Sequence, residues 1–568
     1  MEISGPSNMN TETQTDIVSF CFDTQTDYNE ASPILMDGVT PSRSLSLHQF
    51  RHLVCRFIAG LHEQKIQRGQ CILVHLENNI LYPALFLAIV GVGAVYMGSN
   101  PGGSATELDH LLSLANPSLI ITGRETLSTI LQCTSSNGIY MEGVPPDRVW
   151  VLNDIDQVLF EAFSSSHDAS EADAAYHHRQ DIINLLHSGQ RPWLTFDDDG
   201  EKAKTTPAAM FATSGTGGLP KAAILSHQAL ILQHKSIHYP VPYPVTRLLA
   251  LPLFHRYGAL IAHVFPTRYA QPLILLPGFQ LRPFLSAIRS HDVTETYLSP
   301  AMVHILIQTS LSSSYVHECL RSLRYVGVGG APIDSGPLQS LQDMLHPEAC
   351  VAQAWGMTET ATVLQVRYCL PSSQFDKGSV GVVLPGYEVR LVDLSGSGRV
   401  LDNNTEIPGE LQVRGSGLFT GYKGCPDPKD ENGWFPTGDV LYQMNDHYFL
   451  VGRIKELIKV RGYQVSPVEL EAQLVQHSLV KDAAVIGVMA SDGSTELPRA
   501  YVVPVSWTTR PSPEDISVFM RQRLAGYKML EGGVVFVDSI PRTSGGKIRR
   551  TRLSELDVRR DKLMALLS

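Results

Sequence analysis

The chain has no CxxC pair and no zinc-type cysteine spacing among its eight cysteines, so neither a thiol-redox motif nor a structural zinc site is expected. The thiols are expected to be reduced and mostly buried. Basic residues are in the minority, with 45 Lys and Arg against 56 Asp and Glu for a formal net charge of −11. A global positive field for nucleic acid is therefore missing, and a phosphate-bearing ligand would need local basic groups. Charged residues make up only 18% of the 568 positions against 43% hydrophobic, which excludes disordered, collagen-like and coiled-coil classes. No basic start followed by an apolar run opens the sequence MEISGPSNMNTETQTD, and the last three residues, Leu-Leu-Ser, are not a peroxisomal address. A cytoplasmic location is the expectation. No GxGxxG follows a strand pattern, so a dinucleotide fold is not supported, and no internal repeat is found.

One long apolar run is present. Ile80 to Gly98 is uncharged over 19 residues, about the length that raises the question of a membrane span. Pro83 and three glycines interrupt it, and Asn78, Asn79 and Asn100 flank it in place of basic anchors. The run predicts a buried helix that hands over to a buried parallel strand, with no membrane span.

Helical spacing of Phe50, Leu53, Val54, Phe57 and Leu61 is followed by short β-type runs: Cys71-Ile-Leu-Val-His-Leu, Leu119-Ile-Ile-Thr, Leu248-Leu-Ala-Leu-Pro, Pro272-Leu-Ile-Leu-Leu and Leu323-Arg-Tyr-Val-Gly-Val-Gly. Strands alternating with helices imply helix-covered parallel sheets. The expected class is α/β, with a large N-terminal domain over 1–454 and a small mobile α+β domain over 455–568. Within the first, a polar surface insertion is expected at about 164–180. A small β subdomain is expected at about 378–454, where Gly386-Tyr-Glu-Val-Arg-Leu-Val-Asp and Gly409-Glu-Leu-Gln-Val-Arg-Gly carry strand patterns.

The strongest local motif is Phe211-Ala-Thr-Ser-Gly-Thr-Gly-Gly-Leu-Pro-Lys-Ala. Its glycines let backbone N–H groups approach phosphate oxygens, its hydroxyls add donors, and its lysine adds a cation. Pro220 stands where a Walker loop needs Gly before Lys, so it is not that motif. Gln353-Ala-Trp-Gly-Met-Thr-Glu offers an aromatic face, a hydroxyl and a carboxylate able to hold Mg²⁺. Trp434-Phe-Pro-Thr-Gly-Asp places a carboxylate after a turn, where it can accept ribose hydroxyls. Gly452-Arg-Ile-Lys-Glu opens a basic segment leading to a helix near Pro467, and Pro541-Arg-Thr-Ser-Gly-Gly-Lys puts a lysine after a glycine pair. Each of these, taken alone, is also what an ordinary turn or solvated face contains.

Together, in this order, they resemble the adenylate-forming superfamily of acyl-CoA synthetases, hydroxycinnamate CoA ligases, beetle luciferases and nonribosomal adenylation domains. Pro252-Leu-Phe-His-Arg-Tyr-Gly and Gly462-Tyr-Gln-Val-Ser-Pro are most similar to the ligase and luciferase branch, and the resemblance covers nearly the whole chain. It implies ATP- and Mg²⁺-dependent activation of a carboxylic acid to an acyl-adenylate, then transfer to coenzyme A. The alternative acceptor is a carrier protein's phosphopantetheine arm, loaded in trans. By the same resemblance, Lys547, Glu359 and Lys459 are the catalytic residues, with Glu359 also the metal ligand. ATP and AMP are assigned to Thr213, Ser214, Gly215, Thr216, Gly217, Lys221, Trp355, Thr358, Asp439, Arg453, Lys455 and Gln464, with Lys455 at the hinge. The acyl pocket is assigned to His255, Tyr257, Ala331, Gln353 and Ala354, and coenzyme A to Arg461 and Gly462. Gly217 replaces a usual threonine, Ala222 a usual glycine, and Ala354 a glycine common in relatives. The first departure implies weaker ATP affinity, and the last a narrower acyl pocket.

Overall fold

The computed structural model describes residues 3–4, 15–23, 29–135, 148–163, 180–196, 199–213, 220–368, 376–461, 463–490, 492–542 and 547–555. The polar insertion expected at about 164–180 lies outside these except for its last residue, as do Ser214, Gly215, Thr216, Gly217 and Gly462.

The helix Leu47–Glu63 buries Phe50, Leu53, Val54, Phe57 and Leu61, the residues whose spacing predicts it, and Ser46 and Gln49 close a capping box at its start. In the uncharged run, the helix Tyr82–Gly91 is buried at every position, then turns through Gly93 at φ +89° into the buried strand Val95–Gly98. A helix covered on all sides has no polar face to display, which is why its sequence imitates a membrane segment. Among the described residues no helix is long and apolar enough to cross a membrane.

Two large sheets carry the N-terminal part. In the seven-stranded sheet, Pro207–Ala212, Val95–Gly98, Cys71–His75, Leu119–Gly123 and Val149–Leu152 run parallel, and Ala222–Ser226 returns antiparallel beside the first of these. In the fourteen-stranded sheet, Pro33–Asp37, Leu273–Leu275, Arg247–Leu249, Glu295–Leu298, Tyr325–Val328 and Cys350–Met357 form the parallel half. The strands of the expected β subdomain do not form a sheet of their own. Cys350–Met357 pairs antiparallel with Ala361–Gln365, which leads through Ser379–Val383 to His447–Arg453 and Phe435–Met444, so the parallel and antiparallel halves are one hydrogen-bonded surface.

Beyond Arg453 the chain builds its own apolar core. Ile458, Val460, Leu470, Leu474, Val485, Val502, Ile516 and Met520 pack together around the antiparallel pair Val480–Met489 and Glu496–Pro504. The helix near Pro467 spans Pro467–Leu474, with Ser466 as its N-cap.

Candidate active site

A cleft of about 1310 Å³ separates the two cores. Ser99, Pro300 and Gly330, which line it, each follow the C-terminal end of a parallel strand, the usual place for a site in a helix-covered sheet.

Asp439 is set in this cleft by strand register. In the antiparallel pair Phe435–Met444 and His447–Arg453 it stands opposite Arg453. Arg453 Nε lies 2.8 Å from Asp439 Oδ1, an ion pair without an aligned hydrogen bond, so this buried oxygen keeps its acceptor capacity. Oδ2 accepts the Trp355 indole N–H at 2.9 Å. Burial pushes the Asp439 carboxyl above its ordinary pKa, while Arg453, the indole hydrogen bond and Lys547 act in the opposite direction.

Glu359 is buried, with its Oε1 accepting the Tyr422 hydroxyl at 2.6 Å. Tyr422 was not foreseen from sequence. It arrives through the two-residue strand Gly421–Tyr422, which pairs with Ile224 and Ala223, and its ring lies 4.8 Å under the Lys221 ammonium. Thr213 and Lys221 bridge each other across the phosphate-loop motif: Thr213 N–H donates to the Lys221 carbonyl at 2.8 Å, and Lys221 N–H donates to the Thr213 hydroxyl at 3.2 Å. Thr358 is half-buried in the turn that leads to Glu359.

Of the residues expected at the acyl group, four reach the cleft, whereas Tyr257 does not line it and packs against the core. His255, Ala331, Gln353 and Ala354 line the cleft. Gln353 is held by donating to the Lys377 carbonyl at 2.7 Å. His255 caps the helix Arg256–Ala262, its Nδ1 accepting the Tyr257 N–H at 3.3 Å, which leaves the ring proton on Nε2. Burial first, then Lys547 and Arg256, push its pKa down to about 4, so the ring is neutral. The Tyr257 hydroxyl is buried without a hydrogen-bond partner among the described residues. A Cβ on neighbouring Gly329 would lie 3.4 Å from that hydroxyl and 3.1 Å from the Ala354 carbonyl oxygen.

From the C-terminal part, Lys547 enters the same cleft. Burial and Arg453 lower its pKa from the ordinary lysine value, against the pull of Asp439 and Glu359. Lys455 lies in the exposed turn after Arg453 and borders the cleft. Lys459, Gln464 and Arg461 are elsewhere. Lys459 faces Gln464 across the two-stranded ribbon Ile458–Val460 and Tyr463–Val465, and Arg461 is exposed and pairs with Glu531 at 2.5 Å.

Residues 22–423 match the AMP-binding enzyme family and residues 469–547 its AMP-binding enzyme C-terminal domain. The chain is 82% identical over 561 residues to the acyl-CoA ligase ppsA of Aspergillus oryzae, covering 99% of this chain and 100% of that protein. It is 46% identical to the nicotinic acid-CoA ligase pyr1 of Aspergillus fumigatus, over 98% of each. Among solved structures, ATP-bound MatB from Rhodopseudomonas palustris is similar with a TM-score of 0.78 at 24% identity, covering 96% of this chain and 99% of that one.

Proposed function

The chain belongs to the AMP-binding enzyme family and is an AMP-forming acyl-CoA ligase, and on that premise we infer how its cleft performs the reaction and which acids it admits. The enzyme activates a carboxylic acid with ATP to an acyl-adenylate, releasing pyrophosphate, and passes the acyl group to coenzyme A. Transfer to a carrier protein gains no support from the relatives.

Carboxylate and α-phosphate are both anions, so attack needs positive charge where the two meet. Lys547 is the group we assign to that task, and its position in the same cleft as Asp439 is the observation that carries the reading. Asp439, with Oδ1 open to a further donor, is assigned to the ribose. Glu359 fits Mg²⁺: its Oε2 makes no hydrogen bond among the described residues, and one hard carboxylate with substrate phosphates and water is a donor set this ion accepts. When bound, Mg²⁺ offsets phosphate charge. Rotation about Lys455 then withdraws Lys547 and brings the Lys459–Gln464 ribbon to the cleft for the thiol. A cytosolic setting goes with this reading, supported by the buried thiols of Cys21, Cys71 and Cys319.

For the acid we propose a small aromatic carboxylate whose ring carries a hydrogen-bond acceptor. The unpartnered Tyr257 hydroxyl, buried two residues from the cleft-lining His255 and packed closely against Gly329, supports it, because a buried hydroxyl left unpaired is costly and a ring nitrogen that reached it would satisfy it. The name of the relative pyr1 points the same way. Pyrophosphate release over nicotinic, benzoic, phenylacetic and octanoic acids, with and without coenzyme A and with mass spectrometry of the product, tests this. Nicotinic acid should exceed benzoic acid by about tenfold or more in kcat/KM, and Tyr257→Phe should narrow the gap. Equal use of the two acids, or preference for the straight chain, would overturn it.

A further inference from the structure

Lys547 stands near the end of the described chain, and seating it in a buried cleft removes conformational freedom that some other contact has to offset. Two residues on, Arg549 reaches across to the large domain, with its Nη2 3.0 Å from Glu107 Oε1. The neighbouring Arg550 keeps its ion pairs within the C-terminal part, to Glu456 and Glu471. Glu107 is set in advance. Its Oε2 accepts the Ser104 N–H at 3.3 Å while the Ser104 hydroxyl accepts the Glu107 N–H at 3.2 Å, a capping box that opens the helix Ala105–Ala115. One turn further on that helix, His110 Nε2 lies 2.7 Å from the carbonyl oxygen of Pro220, the residue before Lys221. Residues three apart share a helix face, so one short helix meets both the segment that carries Lys547 and the segment that carries Lys221.

We propose that Glu107 and Arg549 are positioning residues for the first half-reaction: their ion pair seats Lys547 in the cleft, and the Ala105–Ala115 helix ties that seat to the Lys221 segment. This rests on Lys547 being the adenylation lysine. The pair is 38% and 40% exposed. Exposed ion pairs are worth a factor of about five at most, too little to hold a fold together and enough to bias a two-position domain. When the acyl-adenylate is made and the C-terminal domain rotates, this pair has to break, so its loss weakens only the pose that precedes the thiol.

The test uses the full chain with Lys547→Ala, Glu107→Gln, Arg549→Glu, and the exchange Glu107→Lys with Arg549→Glu. Glu107→Gln keeps the capping box and removes the charge. Two rates are read: pyrophosphate release in a single turnover, and thioester formation from supplied acyl-adenylate and coenzyme A. Glu107→Gln and Arg549→Glu should each slow the first by about two- to fivefold and leave the second unchanged, and the exchange should return most of the loss. An equal fall in both rates without recovery in the exchange would make the pair merely structural. Unaltered pyrophosphate release in both single variants, with a large loss in Lys547→Ala, would overturn the seat alone. Full pyrophosphate release in Lys547→Ala would overturn the assignment beneath it.

Discussion

The two oxygens of Asp439 are differently engaged, one by the Trp355 indole and one by an ion pair to Arg453 that leaves a lone pair for a ligand. A ribose hydroxyl donating to a carboxylate is a charge-assisted bond, so Asp439→Ala should raise the KM for ATP by about ten- to a hundredfold and change the KM for the acid little. Steady-state kinetics with each substrate varied in turn checks it, and an unchanged ATP KM removes Asp439 from the nucleotide site. Trp355, Asp439 and Lys547, each singled out by a compact motif with its own chemistry, line one cleft, and Glu359, from the same motif as Trp355, is assigned with them as part of the proposal. Tyr422 was not legible in the sequence, since it joins Glu359 only through the pairing of a two-residue strand with Ile224 and Ala223, a register that no local pattern encodes. Arg256 was passed over for another reason. It is buried, donating to Gln233 and lying 5.4 Å from the Phe211 ring centroid, with burial pushing its pKa down to about 9, and a sequence reader places arginines at the surface by default.

Among the elements, the parallel strands and the buried helix Tyr82–Gly91 follow from apolar runs and their interruptions, which are local. The union of the β segments after 378 with the parallel sheet is not local. It depends on Cys350–Met357 pairing parallel on one side with Tyr325–Val328 and antiparallel on the other with Ala361–Gln365. That turnaround is tight at Gly356, where the ladder shifts register beside Trp355, and a Cβ would fall 2.1 Å from the Ala361 carbonyl oxygen. Backbone cannot yield as a flexible side chain does. Gly356→Ala should therefore cost at least about 2 kcal/mol in urea unfolding and, by moving Trp355 off Asp439, raise the KM for ATP as well. A variant as stable as the parent would mean that the hairpin relaxes freely and that glycine is not required there.

At the scale of the molecule, the boundary is expected at the charged Gly452-Arg-Ile-Lys-Glu segment, whereas the way the two parts meet is not readable from the sequence, because it rests on pairs far apart along the chain. Across the cleft, Asp334 of the large part faces Glu471 of the small one, and burial first, then Glu471, pushes the Asp334 carboxyl up to about 6. Glu471 itself is paired with Arg550, which also holds Glu456. A carboxyl raised in the folded state takes up a proton there earlier than in the unfolded chain, so its stabilising share is full at low pH and is lost as pH rises through about 6. Asp334→Asn should thus match the parent in Tm near about pH 4.5 and exceed it near about pH 7.5. A constant difference across that range would contradict the like-charge contact. The hinge proposed at Lys455 yields the last expectation. In the present pose the neighbouring amides of Ile454, Glu456 and Leu457 donate to Gly438 and Arg453 carbonyls, while the Lys455 N–H makes no such bond among the described residues. Proline removes that N–H and fixes φ near about −65°, so this pose loses no hydrogen bond, whereas rotation of the C-terminal part requires the torsions here to change. Lys455→Pro should then release pyrophosphate in a single turnover at close to the parent rate and fall by about tenfold or more in multiple-turnover acyl-CoA synthesis. Full multiple-turnover synthesis would show that the torsion change lies elsewhere in the chain, and an equal loss of both rates would show that the adenylating pose itself does not tolerate the ring.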